Sequence, residues 1–196
     1  MRLTRPVALV VVLAAASPSF AQEWTEFIER TERFSINFPA PGQPTIKEFT
    51  YPPQRGKPLP ARSFTVQDGP RRYSVTVVNL VTLTQPSDVR GSVAWEAWNF
   101  RKRGGEITYD AFAQVDRIDG HQLHITNADG SVAFVGIYQH GRRLYILEAV
   151  GPAGFPGGMH FQQSLMVLDE KGERIRYEQD VEGNRTTRVA DLTGIC

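Results

Sequence analysis

The sequence predicts an α+β fold: an antiparallel meander sheet flanked by helices, arranged as an α/β/α sandwich. Three observations carry this. Beyond Glu23 apolar residues recur with period two and are punctuated by turn dipeptides, the pattern of hairpins rather than of parallel crossover units. One stretch, from Ser87 or Ser92 to Arg103, has helical spacing instead and stops at Gly104-Gly105. Finally, the pair of segments 132–139 and 142–150 is apolar on both faces, so it needs cover on two sides.

The elements follow in order. Phe34, Ile36 and Phe38 alternate with Ser35 and Asn37 and read as a first strand, stopped by the prolines of residues 39–44. Residues 45–50 form a weaker second strand, and the proline-rich stretch 52–60 reads as a loop. Residues 62–67 and 72–80 flank Asp68-Gly69-Pro70 as a hairpin. In the helix, Ser87 and Asp88 can cap the start and Val93, Ala97 and Phe100 share a stripe. Trp95 and Trp98 are expected to cover the sheet, and Arg101, Lys102 and Arg103 complement the helix dipole in the last turn.

Further on, Asp119-Gly120 is expected to separate strands 112–118 and 121–127, and His140-Gly141 to form the two-residue turn of the next hairpin, with Gln139 opposite Arg142. That register puts Ala133, Val135, Ile137, Leu144, Ile146 and Val150 on one face. Val132, Phe134, Tyr138, Tyr145 and Leu147 occupy the other. A second helix is expected from Gly158 to Leu168 on the stripe Phe161, Leu165 and Leu168. Residues 174–177 can form an edge strand, and residues 179–196 are polar, without period, and expected to be a disordered tail.

The amino terminus reads as a signal peptide over residues 1–21. Arg2 and Arg5 precede an apolar run from Val7 to Ala16 that is too short to cross a bilayer, and Ser19-Phe20-Ala21 ends in the small residue a signal peptidase requires. Cleavage after Ala21 would leave one α+β domain over residues 22–178, periplasmic or secreted, followed by the tail. The leader holds two of the 22 basic residues and none of the 21 acidic ones, so 20 against 21 leaves a net charge of −1. Such a surface supplies no field for polyanions, which excludes nucleic acid as the expected partner, and no membrane contact is expected after cleavage. The sole cysteine, Cys196, allows no internal disulfide.

The FSINFP strand of residues 34–39, followed by the mid-chain helix, the meander and the closing helix, resembles the PsbP-like fold superfamily over residues 33–168. The resemblance implies a non-catalytic binding or assembly module. It carries no functional residue onto this chain.

Candidate chemistry is sparse. His121 and His124 are three apart, which on a strand sends them to opposite faces, and no HExxH or cysteine cluster is present, so neither metal nor other cofactor is expected. Glu148 points with Leu144, Ile146 and Val150 toward apolar surroundings, where a carboxylate needs a partner or becomes a general acid or base. Pairing with an arginine is the competing role. Tyr138, Arg142, Arg143 and Tyr145 form a mixture favoured at binding surfaces. The expectation is an exported, soluble, non-catalytic module of the bacterial envelope that binds another envelope protein or a small ligand. The alternative is a small hydrolase or lyase using Glu148 with a nearby histidine.

Overall fold

The computed structural model describes residues 22–40, 42–183 and 185–189. Along the chain, β1 (Trp24–Glu29), β2 (Phe34–Pro39), β3 (Thr45–Tyr51), β4 (Leu59–Asp68) and β5 (Arg71–Asn79) precede α1 (Pro86–Lys102). There follow β6 (Glu106–Val115), β7 (Ile118–Thr126), β8 (Val132–His140), β9 (Arg143–Gly151), α2 (Gly157–Gln163), β10 (Met166–Val167), β11 (Arg176–Gln179) and β12 (Arg185–Val189). Seven strands form one antiparallel sheet in the order β3-β4-β5-β9-β8-β7-β6, so the fold is α+β as the period-two pattern requires.

Both faces of the central strands are covered. On one, Ala97 and Phe100 of α1 pack with Leu123, Val135, Ile137 and Leu144. On the other, Phe34, Ile36 and Phe38 of β2 and Phe161 of α2 pack with Phe64, Tyr73, Val75 and Leu147. The second layer is therefore the short α2 together with a three-stranded sheet, β1-β2-β10. Most of these side chains are below 2 % exposed, and each such burial contributes about 1.5–3 kcal/mol.

Several local expectations are corrected. Gln139 faces Leu144 rather than Arg142, a shift of two residues, because Gly141, at φ +55°, takes the first central position of the turn. A shift of two keeps every side chain on its expected face. Asp119-Gly120 is no turn: both lie inside β7, and the chain reverses at Asp116 and Arg117, which adopt φ +50° and +65°. Arg174 holds that turn, its Nε and Nη2 donating to the Asp116 carboxylate at 2.7 and 2.9 Å.

The helices differ in their ends. α1 starts at Pro86, whose missing N–H costs nothing there, after Gln85, and no side chain caps it. Trp98 does not cover the sheet. It is 43 % exposed, stacks on Trp95 at 4.9 Å and lies under the Lys102 ammonium at 4.1 Å. α2 ends at Gln163, so Leu165 and Leu168 are buried from extended chain instead of from a helix. Within the expected tail, β12 pairs with β11. Residues 1–21, with the expected cleavage site, and residues 190–196, with Cys196, lie outside the described residues. Among the described residues no helix is long and apolar enough to cross a membrane.

Candidate functional site

Glu148 sits on β9 beside Ser74 of β5, on the face that carries α1, as its alternation with Ile146 and Leu144 dictates. Its side chain is 17 % exposed, and both oxygens are engaged: Arg72 Nη2 donates to Oε2 at 2.8 Å and Arg103 Nη1 to Oε1 at 2.9 Å. No histidine is among its partners. Around it Lys47, Phe49, Ser63, Thr65 and Thr76 line an open trough. The carboxylate thus joins strand β5 to the end of α1, which is the arginine-paired role.

That pairing belongs to a longer chain of contacts. Arg103 also lies over the Phe100 ring at 3.7 Å and reaches within 3.8 Å of Glu96, a carboxylate of α1 that is only 4 % exposed. The Tyr51 hydroxyl donates to Glu96, and Asn99 Nδ2 donates to it at 3.2 Å. Burial, with Glu96 beside it, pushes the Tyr51 phenol well above its ordinary range. An acid at the centre of the stripe Val93, Ala97 and Phe100 was the visible signal for this network, because only a partnered carboxylate can sit there.

The four surface candidates do not converge. Tyr138 and Tyr145 are each 1 % exposed, on the face turned to the second layer. Gln122 Nε2 donates to the Tyr138 hydroxyl at 2.7 Å, and the Tyr145 hydroxyl donates to the Glu32 carbonyl at 3.1 Å. Burial raises both phenols, so they stay protonated. Arg143 Nη2 donates to the Thr31 carbonyl at 3.1 Å, tying β9 to the β1–β2 turn. Arg142 turns the other way and holds the loop before α1 through the Leu83 carbonyl at 2.6 Å. These are structural contacts, and the tyrosines present no aromatic surface.

His121 and His124 face opposite sides of the sheet, as strand geometry requires. His124 meets Gln162 at 3.1 Å and stacks on Tyr109 at 4.8 Å. Among the described residues no three His, Cys, Asp or Glu side chains gather as a metal site would need. His121 instead joins Asp110 and Arg101. Arg101 grips Asp110 with two bonds of 2.7 and 2.8 Å, and His121 Nε2 meets the same carboxylate and lies 3.1 Å from Arg101 Nη2. The Arg101 hydrogen bonds, more than the His121 contact, bring the Asp110 carboxyl down to about 2. It is a fixed anion near neutrality and no proton donor.

This cluster forms the end of a groove of about 530 Å³ between α1 and the outer strands. Helix α1 packs on β7 and β8 and reaches β6, the sheet edge, through the Arg101–Asp110 pair. One wall is the α1 stripe Arg90, Val93, Ala97 and Arg101, and the other rises from His121 and Phe112. Phe112 is 91 % exposed and meets the His121 ring edge-on at 5.4 Å. Its volume is within the range of small-molecule sites, about 300–1,000 Å³. At its open end Arg90 and Gln139 are shared with an adjoining groove lined by His140, Arg142 and Tyr177. Sequence reading placed Phe112 in a strand without noting that its same-face neighbours, Asp110 and Gln114, are polar. That pattern marks a solvated face on which a large aromatic is unexplained by the core.

No protein-family model matches the chain, and no curated protein does. Among solved structures the chain is similar to cyanobacterial PsbP (CyanoP) from Synechocystis sp. PCC 6803, whose structure was determined in solution. The TM-score is 0.48 at 8 % identity, over 79 % of this chain and 98 % of that one. No residue's role passes from one chain to the other at that level.

Proposed function

We propose that this protein is an exported, non-catalytic binding module, working in the periplasm or the medium, and that it holds a small ligand in the groove between α1 and β6–β7. The observation that carries the reading is Phe112, an aromatic ring 91 % exposed on the rim of a groove of small-molecule size. At its end Arg101, Asp110 and His121 are committed to one another. The hydrolase or lyase alternative lacks its defining contact, because the hydrogen-bonding side chains on the Glu148 carboxylate are Arg72 and Arg103.

A neutral fluorescent probe tests the groove. Phenylnaphthylamine is expected to bind the wild-type protein with enhanced emission, and Phe112→Ser is expected to weaken it about ten-fold, the loss from removing one apolar ring contact. The melting temperature of Phe112→Ser should move by no more than about 2 °C, since the side chain is exposed. Undiminished binding by Phe112→Ser overturns the assignment. Export rests on the leader, and amino-terminal sequencing of the protein recovered outside the cytoplasm is expected to start at Gln22. Recovery with Met1 intact rejects cleavage.

A further inference from the structure

We propose that two copies of this chain pair through β6, edge to edge and antiparallel, about a two-fold axis that passes Phe112, so that their sheets continue into one another. The pairing goes beyond the groove reading and stands without it.

β6 is an edge strand, and among the described residues the outer backbone groups of residues 109–115 meet no partner. An open edge is a template for another strand unless prolines, lysines or short length blunt it. Residues 109–115 contain no proline and no cation, and their one charged residue is Asp110. The ladder with β7 is regular from Tyr109, opposite His124, to Val115, opposite Ile118; a register shift interrupts it before Tyr109, and the turn at Asp116 ends it. The midpoint of that straight run is Phe112, the ring that is 91 % exposed.

Symmetry fixes the register. An axis normal to the sheet keeps the α1 faces of both copies on one side and sets each residue opposite one of its own parity. Centred on Phe112, the pairing puts Phe112 against the partner's Phe112 and Asp110 against the partner's Gln114. Ala111 then meets the partner's Ala113, and Tyr109 the partner's Val115. No like charges face each other, and an aromatic pair occupies the axis. Gln114 spends one amide N–H on Asp119 at 2.8 Å and keeps the other for a carboxylate. Other registers are worse: moving the axis to Ala113 sets Asp110 against the partner's Asp116, and moving it to Ala111 sets each Phe112 ring against the partner's Asp110.

The opposite edge of the sheet behaves differently. β3 pairs with β4 from Thr45 to Tyr51, so the same operation would centre on Glu48 and set it against the partner's Glu48, and Pro44 and Pro52 bound the strand. β6 is the self-complementary edge. His121 meets the inner side of the Phe112 ring, toward the groove, and the partner covers the outer side.

Sedimentation of the full chain under reductant, which removes any Cys196 bridge, tests the pairing. Wild-type protein is expected to dimerise reversibly with a Kd of about 10 μM, at the weak end because one strand pair is a small interface. Phe112→Asp should weaken the dimer about 30-fold by placing two carboxylates on the axis and removing the ring pair. Gln114→Lys, opposite Asp110, should tighten it about five-fold, and Gln114→Asp should weaken it about five-fold. Residues 112 and 114 are exposed, so melting temperatures of the isolated monomers should not change. In a Cys196→Ser background, Phe112→Cys should form an interchain disulfide under mild oxidation. Gln114→Cys should not, because the register leaves the two copies of position 114 about 14 Å apart. A wild type that stays monomeric at about 1 mM, a hundred times the expected Kd, overturns the pairing. So does a dimer that survives Phe112→Asp, a pair of Gln114 variants that shift the equilibrium in the same direction, or cross-linking through Gln114→Cys instead of Phe112→Cys. Phenylnaphthylamine binding by Gln114→Asp is expected at wild-type affinity, so the dimer and the groove fail separately.

Discussion

Gly120→Ala is expected to lower the unfolding free energy by about 3 kcal/mol, and the melting temperature by roughly 6–12 °C for a chain of this length. A Cβ at this position would stand 2.2 Å from Tyr138 Cδ1 and 2.4 Å from the Ile137 carbonyl oxygen. The second is backbone in the middle of β8 and cannot yield without breaking the ladder. The first belongs to a ring that is 1 % exposed and fixed by Gln122. That ring also crosses Gly136, where an added Cβ would meet Cε2 at 3.0 Å. Gly120 is therefore a site of close approach rather than a turn. The companion variant Arg117→Gly should change stability by no more than about 0.5 kcal/mol, because relief of the φ +65° conformation offsets the lost side-chain contact and added chain entropy. Urea denaturation measures both. A cost below about 1 kcal/mol for Gly120→Ala would show that the Tyr138 ring does not lie across this strand.

Glu96→Ala is expected to destabilise by about 3 kcal/mol, although the residue is charged and stands on a helix. Its carboxylate is 4 % exposed, and three donors converge on it: the Tyr51 hydroxyl, Asn99 Nδ2 and, at 3.8 Å, Arg103 Nη2. Alanine leaves the Tyr51 hydroxyl buried without an acceptor and releases Arg103, which then holds α1 only through Glu148. A double-mutant cycle with Tyr51→Phe isolates the pair, with an expected coupling of about 1.5–3 kcal/mol, the range of a charge-assisted hydrogen bond. Glu96→Gln keeps an acceptor for Tyr51 and should cost about 1 kcal/mol. Additive losses in the cycle would mean that the Tyr51–Glu96 contact contributes nothing to holding the helix.

Much of the sheet was legible because strand faces depend only on parity. Asp68-Gly69-Pro70 gives the β4–β5 hairpin, with Gly69 at φ +54°, and the sequence turn at His140-Gly141 is displaced by one residue on each side without moving a side chain to the wrong face. Glu148 was correctly placed on the face of Leu144, Ile146 and Val150 for the same reason. What misled was Asp119-Gly120, where a turn dipeptide conceals a packing requirement set 18 residues away by Tyr138. β1 escaped notice because Trp24–Glu29 alternates weakly, and it becomes a strand by pairing with β2. At the site, the exposed aromatic Phe112 and the acid Glu96 inside an apolar stripe were both visible as anomalies, but their partners were not.

By itself the sequence determined which segments pair as ribbons, where the long helix lies, and which side chains of β8 and β9 face each layer. These depend on periodicity and turn chemistry acting over a few residues. Tertiary structure alone decided that Glu148 belongs to Arg72 and Arg103, 76 and 45 residues away, that Tyr138 and Tyr145 are core, and that a groove lies between α1 and the Phe112–His121 pair. Buried charges and rings take whatever partner the assembled layers bring within about 3–4 Å, and that proximity is created by the packing of distant segments, not by local order along the chain.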